Sequence, residues 1–181
     1  VRGRALTESL DIERRLAWPL MKNNITAADL DAVQYFLSGG DEYRRQIPRL
    51  TQGPQVEAFE REFASWLGAK HAVMVNSGSS ANLITMAAIR EIRGPGKVIV
   101  PAITWVSDIA AVLHAGLEPV FVDVDPYTLG MDNEALIAKL HIAWHVRAVF
   151  PTHCLGFAAL TPSTNGILRQ RGMPLVEDCC E

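Results

Sequence analysis

The residues best equipped for chemistry lie in five short stretches between residues 76 and 181. The first is Asn76-Ser77-Gly78-Ser79-Ser80-Ala81-Asn82, which runs straight into a helical pattern. Helix N-termini present unpaired N–H groups and the positive end of a dipole, and both attract anions. Gly78 lets the backbone approach a ligand, and the Ser79 and Ser80 hydroxyls add donors. The stretch therefore suits a phosphate, or simply a Ser-capped helix start. It is neither GxGxxG nor the lysine-bearing P-loop. The second stretch, Pro101-Ala102-Ile103-Thr104-Trp105, ends in an indole. Trp105 either stacks on a planar ligand or opens the next helix from the core, and by itself the core reading is the stronger. In the third, Asp123-Val124-Asp125-Pro126, the two carboxylates and the following Pro read better as a strand-end turn than as a metal site. The fourth brings His153, which reads equally as a site residue, a core histidine or a loop hydrogen-bonder. The fifth is Glu177-Asp178-Cys179-Cys180-Glu181. Asp178 ends an apolar run, where a carboxylate is costly without a cation or strong donors. Either thiol is a conceivable nucleophile, but no base lies nearby in sequence, and buried thiols are usually inert.

Each stretch follows a short apolar run. The runs are residues 72–75, 98–100, 119–122, 148–150 and 174–176, and helical patterns separate them at 80–93, 105–114, 133–140 (with Asp132 as cap) and 166–171. Continuous apolar runs suit strands buried on both faces. Alternation with helices predicts βαβ crossovers and a mostly parallel sheet, an α/β/α sandwich. Such sheets bind ligands beyond the carboxyl ends of their strands, which is where the five stretches fall.

Upstream, Pro54 opens a helix in which Val56, Phe59, Phe63, Trp66 and Leu67 share one face, and Gly68 stops it. Residues 1–50 read as an N-terminal helical arm. It has a helical pattern over 5–20, then a helix from the Thr26 cap, with Asp29 three residues on, to Leu37. Ser38-Gly39-Gly40 ends that helix, and a charged loop leads to Pro48. Residues 51–181 then read as the first part of a large ligand-binding domain.

Composition narrows the class. The 181 residues are 49% apolar and 20% charged with a net charge of −3, values of a globular domain rather than a disordered chain. No apolar stretch is long enough for a bilayer, and the N-terminus lacks the apolar core of a signal peptide. Basic and acidic residues are mixed throughout, so nucleic-acid binding has no electrostatic support. The five His do not read as a metal site. Three Cys, two of them adjacent, read as reduced thiols of a cytoplasmic protein. A chain that begins with Val and ends just after an apolar run is expected to be a piece of a longer protein.

An anion cup, a flat aromatic and a carboxylate on one sheet edge would together serve a planar, phosphorylated, cationic ring. Pyridoxal phosphate is such a ligand. The carboxylate would keep its pyridine nitrogen protonated, and the ring then acts as an electron sink. The same residues carry a family resemblance. The blocks are Leu50-Thr51-Gln52-Gly53-Pro54-Gln55-Val56-Glu57-Ala58-Phe59-Glu60, the Asn76–Asn82 loop, Val100-Pro101-Ala102-Ile103-Thr104-Trp105, Pro119-Val120-Phe121-Val122-Asp123-Val124-Asp125 and Val176-Glu177-Asp178. In this order and spacing, over about residues 20–181, the chain resembles the DegT/DnrJ/StrS family of sugar aminotransferases and related dehydratases.

The resemblance implies the aspartate-aminotransferase-like fold (fold type I, here incomplete), a homodimer, pyridoxal phosphate, and a nucleotide-linked keto-sugar with an amino-acid donor such as glutamate. It assigns the phosphate to Gly78, Ser79 and Ser80, ring stacking to Trp105 and the pyridine nitrogen to Asp178. Glu181 stands at a cofactor-site position where aminotransferases of the family commonly carry Gln or His, and an acidic residue there points toward the dehydratase branch. The Lys that forms the Schiff base in the aminotransferases, or the His that replaces it in the dehydratases, is expected after Glu181. Lys22, Lys70, Lys97 and Lys139 do not match that position. Transamination is the favoured reading and nucleotide-sugar dehydration the runner-up. A non-catalytic relative that keeps the cup is the third. Cell-surface polysaccharide and secondary-metabolite pathways both fit. The family's layout places the last strands of the sheet between the first and the fifth, so the 181-residue piece is expected not to fold stably alone.

Overall fold

The computed structural model describes residues 25–39 and 48–181. The helix predicted at 5–20 and most of the charged loop lie outside the described residues. The chain divides into two compact units, residues 1–72 and 73–181.

In the first unit, helix α1 (Ala27–Leu37) starts where the cap pattern places it. Thr26 Oγ1 accepts the Asp29 N–H, and Asp29 Oδ2 accepts the Thr26 N–H at 2.7 Å, so two N–H groups that helix geometry leaves over are satisfied reciprocally. Helix α2 (Pro54–Leu67) has Pro54 in its first turn and closes on Gly68 in the left-handed region, φ 73°. The three- and four-residue apolar spacing made the helix legible but not its surroundings. Only Ala64 is buried, and Trp66 at the end of the stripe is 78% exposed.

The second unit contains α3 (Gly78–Arg93), β1 (Lys97–Pro101), α4 (Val106–His114), β2 (Glu118–Val122), α5 (Asn133–Ile142), β3 (Val146–Val149), a 3-10 turn (Cys154–Gly156) and α6 (Pro162–Gln170). The three strands are parallel in the order β2-β1-β3. Alternate residues of β1 point to opposite layers. Val98 and Val100 pack with Met86 of α3, Ala111 and Val112 of α4, and Phe150. Ile99 packs on the other side with Val149, Leu136 of α5 and Leu168 of α6. Both faces are covered, which is why the strand reads as an uninterrupted apolar run. Asp132 caps α5 by accepting the Ala135 N–H, as its position implied.

Two expected strands differ from the sequence reading. Residues 72–75 form no strand, because a strand needs a ladder partner and no described strand pairs with them. Residues 174–178 do lie parallel to the β3 side of the sheet, but through isolated bridges, Val149 with Leu175 and Thr152 with Asp178. Those bridges suffice to hold Asp178. Its N–H donates to the Pro151 carbonyl and its carbonyl accepts the His153 N–H. Helix α6 also begins earlier than residue 166, since the Thr161 hydroxyl caps it and Pro162 supplies its first turn.

Candidate cofactor site

The cup forms as a helix start. Ser77 is the cap of α3, and its hydroxyl oxygen accepts the Ser80 N–H at 3.2 Å. Its carbonyl accepts the Ala81 N–H. The Gly78 and Ser79 N–H groups have no such acceptor among the described residues. A Cβ placed on Gly78 would meet nothing within 4 Å, so the space before the loop is open. The capping reading holds, since Ser77 closes the helix, and the Gly78 and Ser79 N–H groups are left available to a ligand.

Trp105 is the cap residue of α4 in extended conformation, and it is 69% exposed. The core reading of this indole does not hold. The run leading to it enters the core, but β1 ends at Pro101 and the chain emerges at the strand's carboxyl edge.

Asp178 is half-buried and meets donors rather than a cation. Oδ1 accepts the Cys180 N–H at 3.0 Å, and Oδ2 accepts from Asn82 Nδ2 at 3.2 Å. That second bond joins the cup's helix to the strand end. The same Asn82 Nδ2 also donates to Asp108 Oδ1 at 2.8 Å, which brings in α4, the helix that Trp105 opens. The stretches at 76–82, 101–108 and 176–178 therefore meet around one amide.

Asp108 is the residue that the sequence reading passed over. It is 1% exposed. Its Oδ2 lies 2.5 Å from Thr104 Oγ1 and 2.9 Å from Thr152 Oγ1, and Ser107 Oγ lies 3.4 Å from Oδ1. Burial pushes its carboxyl above the usual range, the Thr104 and Thr152 bonds oppose this, and Asp178 pushes the same way as burial. A signal was present. Asp108 shares the inward stripe with Ala111 and Val112, three and four residues on. An acid in a helix's first turn complements the dipole, so its type and position alone do not mark it as buried.

The remaining candidates fall nearby in other roles. His153 is a loop hydrogen-bonder: Nδ1 accepts the Ala159 N–H at 3.3 Å, and Nε2 faces Glu177 Oε1 at 3.1 Å. Glu181 accepts the Leu155 N–H in the 3-10 turn, and none of its described bonds reaches the cup. Asp125 makes the expected turn, its Oδ1 accepting the N–H groups of Tyr127 and Thr128. The Cys179 thiol is pushed up by partial desolvation and then by Glu177 and Asp178, which keeps it in the poorly nucleophilic thiol form.

The donor set fits pyridoxal phosphate. Free N–H groups and hydroxyls at a helix start suit its phosphate, an exposed indole suits its ring, and an anchored carboxylate suits its pyridine nitrogen. No helix among the described residues is long and apolar enough to cross a membrane.

Comparisons with known proteins point the same way. Residues 44–181 match the model of the DegT/DnrJ/EryC1/StrS aminotransferase family. The GDP-4-keto-6-deoxy-D-mannose 3-dehydratase of Yersinia pseudotuberculosis is 32% identical over 173 residues, covering 91% of this chain and 40% of the relative. A solved GDP-4-keto-6-deoxymannose-3-dehydratase, holding a trapped adduct of pyridoxal phosphate and glutamate, superposes with a TM-score of 0.76 at 32% identity, over 91% of this chain and 41% of that one. The sugar aminotransferase CalS13 of Micromonospora echinospora gives 0.74 at 30% identity, over 89% and 42%. The fold is thus part of the fold type I architecture of pyridoxal-phosphate enzymes. The chain spans about two fifths of the length of these relatives.

Proposed function

Because the chain belongs to the DegT/DnrJ/EryC1/StrS aminotransferase family, whose cofactor is pyridoxal phosphate, we propose that it forms the cofactor-binding part of an enzyme acting on a nucleotide-linked keto-sugar. When bound, the cofactor supplies an electron sink for a carbanion at the substrate carbon. The chain's own residues hold it. The Gly78 and Ser79 N–H groups, with the Ser79 and Ser80 hydroxyls, take the phosphate. Trp105 covers one face of the ring, and Asp178 pairs with the pyridine nitrogen. The observation that carries this reading is the Asn82 amide, which draws the cup's helix and the Asp178 carboxylate to within one hydrogen bond of each other.

Transamination with glutamate as donor, in a homodimer, is one form of the proposal, supported by the likeness to the sugar aminotransferase. Dehydration of the same class of substrate is the second form. It is favoured by Glu181, three residues beyond Asp178, and by the likeness to two dehydratases. The full-length protein distinguishes them. A covalent lysine link to the cofactor absorbs visible light and is bleached by glutamate, whereas a lysine-free enzyme releases the cofactor on dialysis. In either form, Asp178→Asn is expected to abolish turnover and weaken cofactor retention. Unchanged activity in that variant would remove Asp178 from the site.

A further inference from the structure

Asp108 lies just behind the proposed site and touches none of the groups assigned to the cofactor's phosphate. Its surroundings raise a proton-counting problem. Asp108 Oδ2, Thr104 Oγ1 and Thr152 Oγ1 form a triangle with edges of 2.5, 2.5 and 2.9 Å. All three edges fall within the range of about 2.5–3.0 Å of O–H···O hydrogen bonds, and the two at 2.5 Å are far too short for oxygens without a proton between them. The two threonine hydroxyls bring two protons, enough for two edges. With Asp108 ionised and both threonines donating to it, the 2.5 Å edge between Thr104 and Thr152 would press two hydroxyl lone pairs together with no proton between them. A proton on Asp108 fills it: Asp108 donates to Thr152, Thr152 to Thr104, and Thr104 back to Asp108 Oδ2. Oδ1 remains free to accept from Asn82.

The environment agrees. The carboxyl is buried, and the groups facing it are Asn82, Thr104, Ser107 and Thr152, with Asp178 on the far side of the Asn82 amide. None of these is a cation. A lone buried carboxylate facing a second carboxylate is the arrangement that neutralisation relieves.

We propose that Asp108 is a positioning residue carried as a neutral carboxylic acid: the proton ring with Thr104 and Thr152 locks it, and through the shared Asn82 amide it holds the Asp178 carboxylate in place. Asn82 has two amide protons and spends one on each acid. Its orientation is therefore set from the buried side, and Asp178 is presented toward the site with one oxygen held by Asn82 and the other by the Cys180 N–H. The ring needs no cofactor. Its consequence for a ligand rests on the reading of Asp178 as the pyridine partner.

The test uses the full-length protein. In the cofactor-free form at neutral pH, the infrared difference between wild type and Asp108→Asn should contain the carbonyl band of a protonated carboxyl group. Loss of only ionised-carboxylate bands would overturn the proposal. Asn keeps a neutral group that donates and accepts, so pyridoxal phosphate added to Asp108→Asn should bind within about threefold of wild type. Asn82→Leu removes the bridge but leaves the acid, and should weaken binding by about tenfold, one lost hydrogen bond to a charged group. Equal losses in the two variants would show that the charge of Asp108, not its hydrogen bonding, is needed, and would also overturn the proposal. If Asp178→Asn binds the cofactor as tightly as wild type, the pyridine reading falls. The infrared band then still decides the state of Asp108, and a melting curve for each variant separates lost binding from lost folding.

Discussion

At the scale of single residues, the site depends on where polar side chains find partners. Asp178 needed donors and obtained two N–H groups, one local (Cys180) and one from a helix 96 residues earlier in the chain (Asn82). Asp108 gives the clearest pH signature. Burial holds its folded-state pKa above the value it has in an unfolded chain, so the native state binds the proton more tightly. The stabilisation from this group is complete below the ordinary aspartate range of about 4 and is lost as pH rises through the folded value. Melting temperatures of the full-length protein across that window should therefore fall with rising pH more steeply in wild type than in Asp108→Asn. Identical profiles would mean that Asp108 has the same proton affinity in both states.

At the scale of elements, helix starts were the best-read features. Thr26, Pro54 and Asp132 all mark helix N-termini, because each provides locally what the first turn lacks, whereas the helix read from residue 80 begins at Gly78. Asp132→Ala should cost about 1 kcal/mol in chemical denaturation of the full-length protein, since the Ala135 N–H loses its acceptor. A cost near zero would mean that water replaces the cap. Gly130 is a different case. A Cβ there would stand 2.7 Å from Ala159 Cα and 2.8 Å from its carbonyl oxygen, backbone atoms that cannot swing aside. Gly130→Ala should cost roughly 1–3 kcal/mol by overpacking, read in the same denaturation experiment. The substitution Gly166→Ala, in α6 with nothing within 4 Å of the new methyl, is the control and should be neutral or slightly stabilising.

At the scale of the whole molecule, the core of the second unit is well formed around β1 and β3, but much apolar surface stays in solvent. Trp66, Val73, Ile92 and Trp144 are all exposed. Large exposed apolar surface favours association. The 181-residue chain expressed by itself should therefore associate on size-exclusion chromatography and lack a sharp thermal transition. A monodisperse monomer with a cooperative melt would refute this.

Local chemistry was legible from the sequence alone. Caps and turns depend on neighbours within four residues, three of the five apolar runs became strands, and the order of the five blocks carried the family. Tertiary structure decided what depends on distant segments. Residues 72–75 have strand composition, but pairing needs a second strand beside them, and composition does not specify one. The face of α2 has the right periodicity for burial, yet burial requires something to cover it. Asp108 drew no attention in the sequence, and it is the packing of α4 against α3 and the strand ends that encloses it with Thr104, Thr152 and Asn82. A buried acid is defined by the groups around it, and those groups come from positions 82, 104 and 152, which only the folded chain brings together.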